Sequence, residues 1–225
     1  MDKIISGVQR FRETDFATNR HFYEQLAAKQ QKPVALFITC ADSRIVPNTI
    51  TQTEPGDLFL IRNAGNIVPP WGAGGGGEGA TIQYSLEVLG IRNIVVLGHS
   101  QCGAMKALLE NRPLDDLPAI KQWFSHAEAT RQIVKHKYKG LSGDALARAA
   151  AEENVLVQLN NISTHPSVAS RLATGELNLY GWYYDIGTGV VRQYDQAKQV
   201  FRELERSANA ASPMPVLEAS ELTTA

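Results

Sequence analysis

Residues 93–110 read NIVVLGHSQCGAMKALLE, an apolar run that passes within a few residues into a helical pattern. Such a run is typical of a β-strand that is buried on both faces of a parallel sheet. Two further runs of this kind precede it, PVALFITC at residues 33–40 and DLFLIRNAG at residues 57–65, and a helical segment follows at residues 77–90. The alternation predicts an α/β fold with a mostly parallel central sheet flanked by helices.

The flanking segments predict additions to this sheet. Residues 2–30 have apolar positions at helical spacing and predict two N-terminal helical arms with a break near residues 13–15. From Leu114 to Ser170 the pattern is helical, with a boundary at Pro166, and the later strand pattern predicts a C-terminal hairpin or edge strand. The clearest of these segments are the helices at residues 119–134 and 143–162 and the strand pattern at residues 176–195. We expect one domain at residues 1–206 and a flexible tail at residues 207–225.

The composition excludes several classes of protein. The 225 residues include 22 basic and 23 acidic side chains, for a net charge of -1. A nucleic-acid or membrane-surface protein would need a strong basic excess. No apolar run approaches the roughly 18 residues of a membrane-spanning helix, and the N-terminus lacks the apolar centre of a signal peptide. We therefore expect a cytoplasmic protein.

Three residues with metal-ligand chemistry follow the predicted strands. Cys40 ends one apolar run, His99 ends another, and Cys102 follows three residues later, which gives the pattern C-x58-H-x2-C. Each cysteine alone would more often be a buried apolar residue, and a lone histidine a structural one. Because carboxyl ends of parallel strands share one edge of the sheet, the three together favour a zinc site with a fourth position open for water. The other histidines lack such partners.

Asp42 and Arg44 follow the first proposed ligand in the segment CADSR. A carboxylate beside a metal site can accept a proton or a hydrogen bond from water, and a guanidinium can hold that carboxylate ionised and oriented. The alternative is that Asp42 merely stabilises a turn and that Arg44 is a surface residue.

A glycine-rich stretch, WGAGGGGEGA at residues 71–80, contains the pattern G-x-G-x-x-G at Gly72, Gly74 and Gly77. That pattern binds a pyrophosphate only where it directly follows a strand and begins a helix. Here Pro69 and Pro70 precede it, and prolines do not donate to a sheet ladder. A nucleotide site is therefore disfavoured, and we expect a loop whose glycines allow close backbone approach.

Five segments in chain order resemble the β-class carbonic anhydrases, and the similarity is greatest to the cyanobacterial carboxysomal type without its long C-terminal extension. They are CADSR, RNAGN, GGEGA, GHSQCGAMK and GWYYDIGTG. The resemblance implies one zinc per chain on Cys40, His99 and Cys102, with Asp42 and Arg44 as a catalytic dyad. It implies reversible hydration of carbon dioxide to bicarbonate and a proton by zinc-bound hydroxide. It also implies a homodimer or a higher oligomer of dimers, with carboxysome proteins as candidate partners.

The resemblance implies further pocket residues. Gly103, Tyr84 and Phe59 would line the substrate pocket, whose wall comes partly from the partner subunit. Some family members also close the zinc site around a bicarbonate pocket, for which this chain offers Arg62 and Tyr184. Phe37 replaces the tryptophan expected there and lacks its indole N–H. We therefore expect weak bicarbonate binding and an open zinc site.

A binding or scaffold protein with a purely structural zinc is the second hypothesis. Structural zinc sites are usually closed by four protein ligands, and three are evident unless Asp42 supplies the fourth. Metal content measured together with carbon dioxide hydration would separate the two hypotheses.

Overall fold

A computed structural model describes residues 1–74, 76–110 and 113–205. Six strands form one sheet in the order β2-β1-β3-β4-β5-β6. The first four pair in parallel, while β5 and β6 are antiparallel additions at one edge. Their bounds are β1 Ala35–Cys40, β2 Leu58–Asn63, β3 Asn93–His99, β4 Asn178–Tyr184, β5 Val191–Asp195 and β6 Val200–Glu203. The predicted α/β class with a mostly parallel sheet is confirmed.

Helices flank this sheet, and the first three of them precede strand β1 in the chain. They are α1 Asp2–Glu13, α2 Asp15–Thr18, α3 Arg20–Ala28, α4 Pro47–Thr51, α5 Gly77–Glu87, α6 Gly103–Leu109, α7 Pro118–Phe124, α8 Glu128–Lys137, α9 Gly143–Ser163 and α10 Pro166–Ala173. Short 3₁₀ turns occupy Ala64–Asn66 and Ser125–Ala127. Within the described ranges, no helix is both long and apolar enough to cross a membrane.

The long helix α9 packs closely on the middle of the sheet. Side chains of β1 and β3 that face it are fully buried, among them Leu36, Ile38, Ile94 and Val96. Two strand glycines, Gly98 and Gly181, leave room for Val155 of the helix, because an added Cβ would lie 2.8 or 2.9 Å from its methyl groups. This close approach fixes the carboxyl end of β3, where His99 lies.

Several predicted boundaries need correction. The N-terminal region has three helices, because the break is followed by the four-residue α2. The expected single helix at residues 119–134 is divided by the turn Ser125–Ala127, and the helix expected to run to residue 90 ends at Glu87. The short α4 was not predicted. The expected tail, residues 207–225, lies outside the described residues.

Candidate active site

The three proposed metal ligands meet at the carboxyl edge of the sheet. Cys40 ends β1, His99 ends β3, and Cys102 precedes α6. Their ligand atoms all lie within 4.8 Å of one another, and the side chains are buried. The two Sγ atoms are 4.0 Å apart. The parallel pairing of β1 with β3 thus brings together residues that are far apart in the chain.

The imidazole of His99 is oriented by its neighbour. Nδ1 lies 2.8 Å from the carbonyl oxygen of Ser100, which identifies Nδ1–H as the donor and leaves Nε2 with its lone pair. Nε2 is buried without a hydrogen-bond partner. Ser100 is itself fixed, because its N–H donates to the carbonyl of Tyr184 and its Oγ accepts from the N–H of Ile186. The ring is therefore held with an unused acceptor facing the two sulfurs.

The two thiols share a buried environment that favours a cation. Their mutual hydrogen bond lowers the pKa of Cys40 below its usual range and raises the pKa of Cys102 above its usual range. The N–H of Gly65 also donates to Cys40 Sγ at 3.4 Å. A second thiolate next to the first needs a positive charge to neutralise it, and a bound metal ion supplies that charge.

These residues fit zinc. Thiolate and imidazole are zinc ligands, and a tetrahedral zinc with Zn–S bonds of about 2.3 Å would place two sulfurs about 3.8 Å apart, close to the separation observed. A zinc ion at this position would also bind the lone pair of His99 Nε2, which explains why that atom is buried without a hydrogen-bond partner. No further metal-ligating side chain joins the three within the part of the chain that the structure describes. A tetrahedral ion held by these three side chains would keep a fourth position for a small molecule.

Asp42 and Arg44 form a bidentate ion pair beside these ligands. Arg44 Nε donates to Oδ1 at 2.9 Å and Nη2 donates to Oδ2 at 2.7 Å, while the Arg44 backbone N–H also donates to Oδ1 at 3.0 Å. These bonds hold the pKa of Asp42 well below its usual range. Asp42 is turned toward Arg44, and it does not join the Cys40, His99 and Cys102 cluster among the described residues.

Sequence reasoning missed a residue that anchors Arg44. The carbonyl of Gln101 accepts a hydrogen bond from Arg44 Nη2 at 3.2 Å. Gln101 has a φ of 57°, a left-handed backbone conformation that residues other than glycine rarely adopt. Its side chain joins Lys106 and Asp144, which fixes the loop between the two later ligands. The backbone strain and the contact across 57 residues leave no signal in the sequence.

A cavity of about 700 Å³ adjoins the site and contains one predicted pocket residue, Gly103. Phe59 and Tyr84 stack on each other with ring centroids 6.0 Å apart, but neither belongs to the described lining of this cavity. Tyr84 is 44% exposed. Within one chain the structure therefore does not bring the three predicted pocket residues together.

The two predicted bicarbonate residues have other contacts. Arg62 Nε donates to the carbonyl of Cys40 at 3.2 Å, and Nη2 donates to the carbonyl of Asp42 at 2.9 Å. Tyr184 ends β4 and packs in the cluster that contains Phe37. The ring of Phe37 is buried and has no polar atom for an anion. Weak bicarbonate binding stays a prediction.

The glycine-rich loop does not form a dinucleotide fingerprint. The preceding strand, β2, ends at Asn63, well before Gly72, and the intervening residues include no strand. Gly72 and Gly74 have positive φ, as a loop glycine permits. The loop leads into α5, whose Glu78 bonds to Asn63.

An α/β protein with a buried Cys-His-Cys cluster of metal-ligand chemistry and an adjacent Asp-Arg ion pair is the class that the fold and the site define, and comparison with known proteins gives the family. The carbonic anhydrase family model matches residues 35–191. A carbonic anhydrase of Synechocystis sp. is 49% identical over 214 residues, which cover 95% of this chain and 78% of that protein. A carbonic anhydrase of Pseudomonas aeruginosa is 46% identical over 91% of this chain and 92% of that protein.

Solved structures agree with this match. The structure of the β-carbonic anhydrase CcaA has a TM-score of 0.88 and 49% identity, with 92% of each chain covered. Two tetrameric β-carbonic anhydrases from Sordaria macrospora have a TM-score of 0.77 and 26% identity over 85% of this chain and 95% of theirs. The chain belongs to the carbonic anhydrase family, in its β class, and is an enzyme.

Proposed function

We propose that this enzyme hydrates carbon dioxide reversibly to bicarbonate and a proton, with one zinc ion per chain held by Cys40, His99 and Cys102. The observation that supports the proposal most directly is the convergence of these three ligand atoms within 4.8 Å, with Nε2 of His99 buried and unpartnered. A bound zinc lowers the pKa of a water molecule and makes it a nucleophile near neutral pH.

Asp42 and Arg44 are proposed to orient the reacting water. Asp42 Oδ1 and Oδ2 both accept hydrogen bonds from Arg44, so the carboxylate is held charged and in one orientation. The remaining lone pairs of Asp42 can accept a hydrogen bond from the water, which aligns the oxygen for attack on carbon dioxide. Arg44 acts through Asp42, and Gln101 acts through Arg44.

Three matched variants test this assignment. Cys102→Ala should lose zinc and activity, because one of three ligands is removed. Asp42→Asn should keep zinc and lose most turnover, by about 10²-fold or more, since a misoriented amide replaces the acceptor. Asp116→Asn removes an exposed carboxylate and should change neither property. The measurements are zinc content per chain and stopped-flow hydration of carbon dioxide.

Two results would contradict the assignment. Full zinc content in Cys102→Ala would exclude the ligand set, and unchanged activity of Asp42→Asn across pH would exclude the role of the dyad. Wild-type protein with zinc but without hydration at any pH would favour the structural-zinc hypothesis.

A homodimer or a higher oligomer of dimers is part of the proposal. Tyr84 and the apolar side of α1, which includes Ile4 and Val8, are exposed in the single chain. A partner subunit covering these surfaces could bring its Phe59 and Tyr84 toward the site of the first chain. Cytoplasmic location and contact with carboxysome proteins stay predictions from the motif resemblance.

A further inference from the structure

The cavity beside the site is lined mostly by apolar residues and also by Asn63 and two carboxylates. Gly103 and Ala104, directly after the ligand Cys102, form one side of it. Asn63 and Ala64, which begin the turn that contacts Cys40 through Gly65, form another side. Its described carboxylates are Glu78 and Glu110. At about 700 Å³ the cavity has room for several water molecules, each of which occupies about 30 Å³ in the liquid.

Glu78 is linked to the metal edge of the sheet. Its Oε1 accepts a hydrogen bond from Asn63 Nδ2 at 3.0 Å. Asn63 is the β2 partner of Cys40 in the sheet register, so the two side chains leave the sheet on the same face. The carboxylate is thus one hydrogen bond from the residue beside the first metal ligand.

The glycine-rich loop makes room for this carboxylate. A Cβ added at Gly76 would lie 2.7 Å from Glu78 Oε2, so any larger residue there would displace the acid. Glu78 is half-buried and lies in the first turn of α5, where the helix N-terminus favours a negative charge. Among the residues that the structure describes, none of the ion pairs includes Glu78.

Among the described residues, Asp42, unlike Glu78, is paired with a cation. Three hydrogen bonds from Arg44 fix its two oxygens, so the side chain is not free to move between the site and solvent. Hydration nevertheless releases one proton in each turnover, and that proton must reach a base in solution. A carboxylate without a cationic partner, in a cavity open to solvent, meets this need.

We propose that Glu78 accepts the proton released by hydration and passes it to buffer. The inference rests on the proposed hydration of carbon dioxide. In a step separate from attack on carbon, one O–H bond of the reacting water breaks and the proton moves along waters in the cavity to the Glu78 carboxylate. The hydroxide oxygen left behind bonds to the carbon of carbon dioxide and gives bicarbonate. The resulting carboxylic acid then gives the proton to the conjugate base of the buffer, and dehydration runs these transfers in reverse.

Glu78→Gln tests the proposal because the amide keeps the size of the side chain and an acceptor for Asn63. In dilute buffer we expect kcat for hydration to fall by about 10²-fold, at the lower end of what a positioned proton acceptor contributes. We expect kcat/KM for carbon dioxide to change by less than about twofold, since the attack step does not use Glu78. A high concentration of imidazole buffer should restore kcat. Glu110→Gln, in the same cavity, is the matched control and should behave as wild type.

Glu78→Asp provides a second measurement, since a shorter acid should give a kcat between those of Glu78→Gln and wild type. Zinc content per chain is a readout besides activity: it should equal that of wild type in both variants, and a loss of zinc would overturn the proposal because it would show a structural role. Unchanged kcat of Glu78→Gln in dilute buffer would overturn the proposal. So would an equal loss of kcat and kcat/KM that imidazole does not restore, because this would show a structural role. A wild-type enzyme without hydration activity would instead contradict the proposed function, so the two failures are distinguishable.

Discussion

Replacement of Gly98 by alanine tests how closely α9 packs on the sheet. The added Cβ would lie 2.8 Å from Val155 Cγ2 and 3.0 Å from the carbonyl oxygen of Ala151. The second contact is with helix backbone, which does not rotate away as a side chain does. Overpacking of this kind costs about 1–3 kcal/mol, and replacing glycine within a strand returns about 0.5–1 kcal/mol of backbone entropy. We expect a net loss of about 2 kcal/mol in the free energy of unfolding.

Two other glycines calibrate this value. At Gly181 the nearest atoms are methyl groups, Val155 Cγ1 at 2.9 Å and Leu159 Cδ1 at 3.0 Å, which can shift. Gly181→Ala should therefore cost less than Gly98→Ala, at about 1 kcal/mol. Gly140 has no neighbour within 4 Å of its added Cβ, and Gly140→Ala should be neutral or slightly stabilising.

Urea unfolding of the three variants, at one protein concentration, measures these differences. For a domain of this size each kcal/mol should lower Tm by about 2–4 °C. Because Gly98 precedes the proposed ligand His99, we also expect Gly98→Ala to release zinc to a chelator faster than wild type. Equal stability of Gly98→Ala and Gly140→Ala would refute the packing argument, and so would a greater loss from Gly181→Ala.

Three further predictions concern other regions. Removal of the residues after Ser207 should leave hydration activity intact, because their small, polar composition cannot form a core; loss of activity or of dimerisation would show that they dock. The Lys137 ammonium donates to the buried Glu153 carboxylate at 2.6 Å, and this hydrogen bond raises the pKa of Lys137. The stabilisation is therefore fully present below the unfolded lysine pKa of about 10.4 and is lost as pH rises through the raised folded value. The Tm difference between wild type and Lys137→Met should thus be constant from about pH 6 to 9 and shrink above about pH 10.4, whereas a difference that peaks in alkali would contradict it. A crystal structure at neutral pH should show Asp42 paired with Arg44, and an Asp42 oxygen at about 2.0–2.2 Å from zinc would refute the open site.

The sequence was most informative where burial alone determines the structure. The strands β1 and β3 are almost wholly buried, so their apolar runs were recognisable, and their shared carboxyl edge placed Cys40 near His99. The turn Ser125–Ala127 was less predictable, because the residues on either side of it have helical φ and ψ values. The helix α4 has five residues, too few for a reliable pattern, and its Ile50 packs against buried side chains of β1 and β3.

The parts of the site that depend on long-range contacts could not be predicted. The carbonyl of Gln101 reaches Arg44 only because β1 and β3 pair in one register, and backbone oxygens are the same in every residue. The link between Glu78 and Asn63 likewise joins a helix to a neighbouring strand end. The pocket residues Phe59 and Tyr84 are a third case, since a single chain does not place them in the cavity.

X-ray absorption at the zinc edge of the wild-type enzyme tests the proposed metal site most directly. With one zinc per chain, the account predicts two sulfur neighbours at about 2.3 Å and one imidazole nitrogen at about 2.0–2.1 Å, together with one further light atom. A shell without sulfur, or protein purified with adequate zinc that retains none, would contradict the assignment of Cys40, His99 and Cys102.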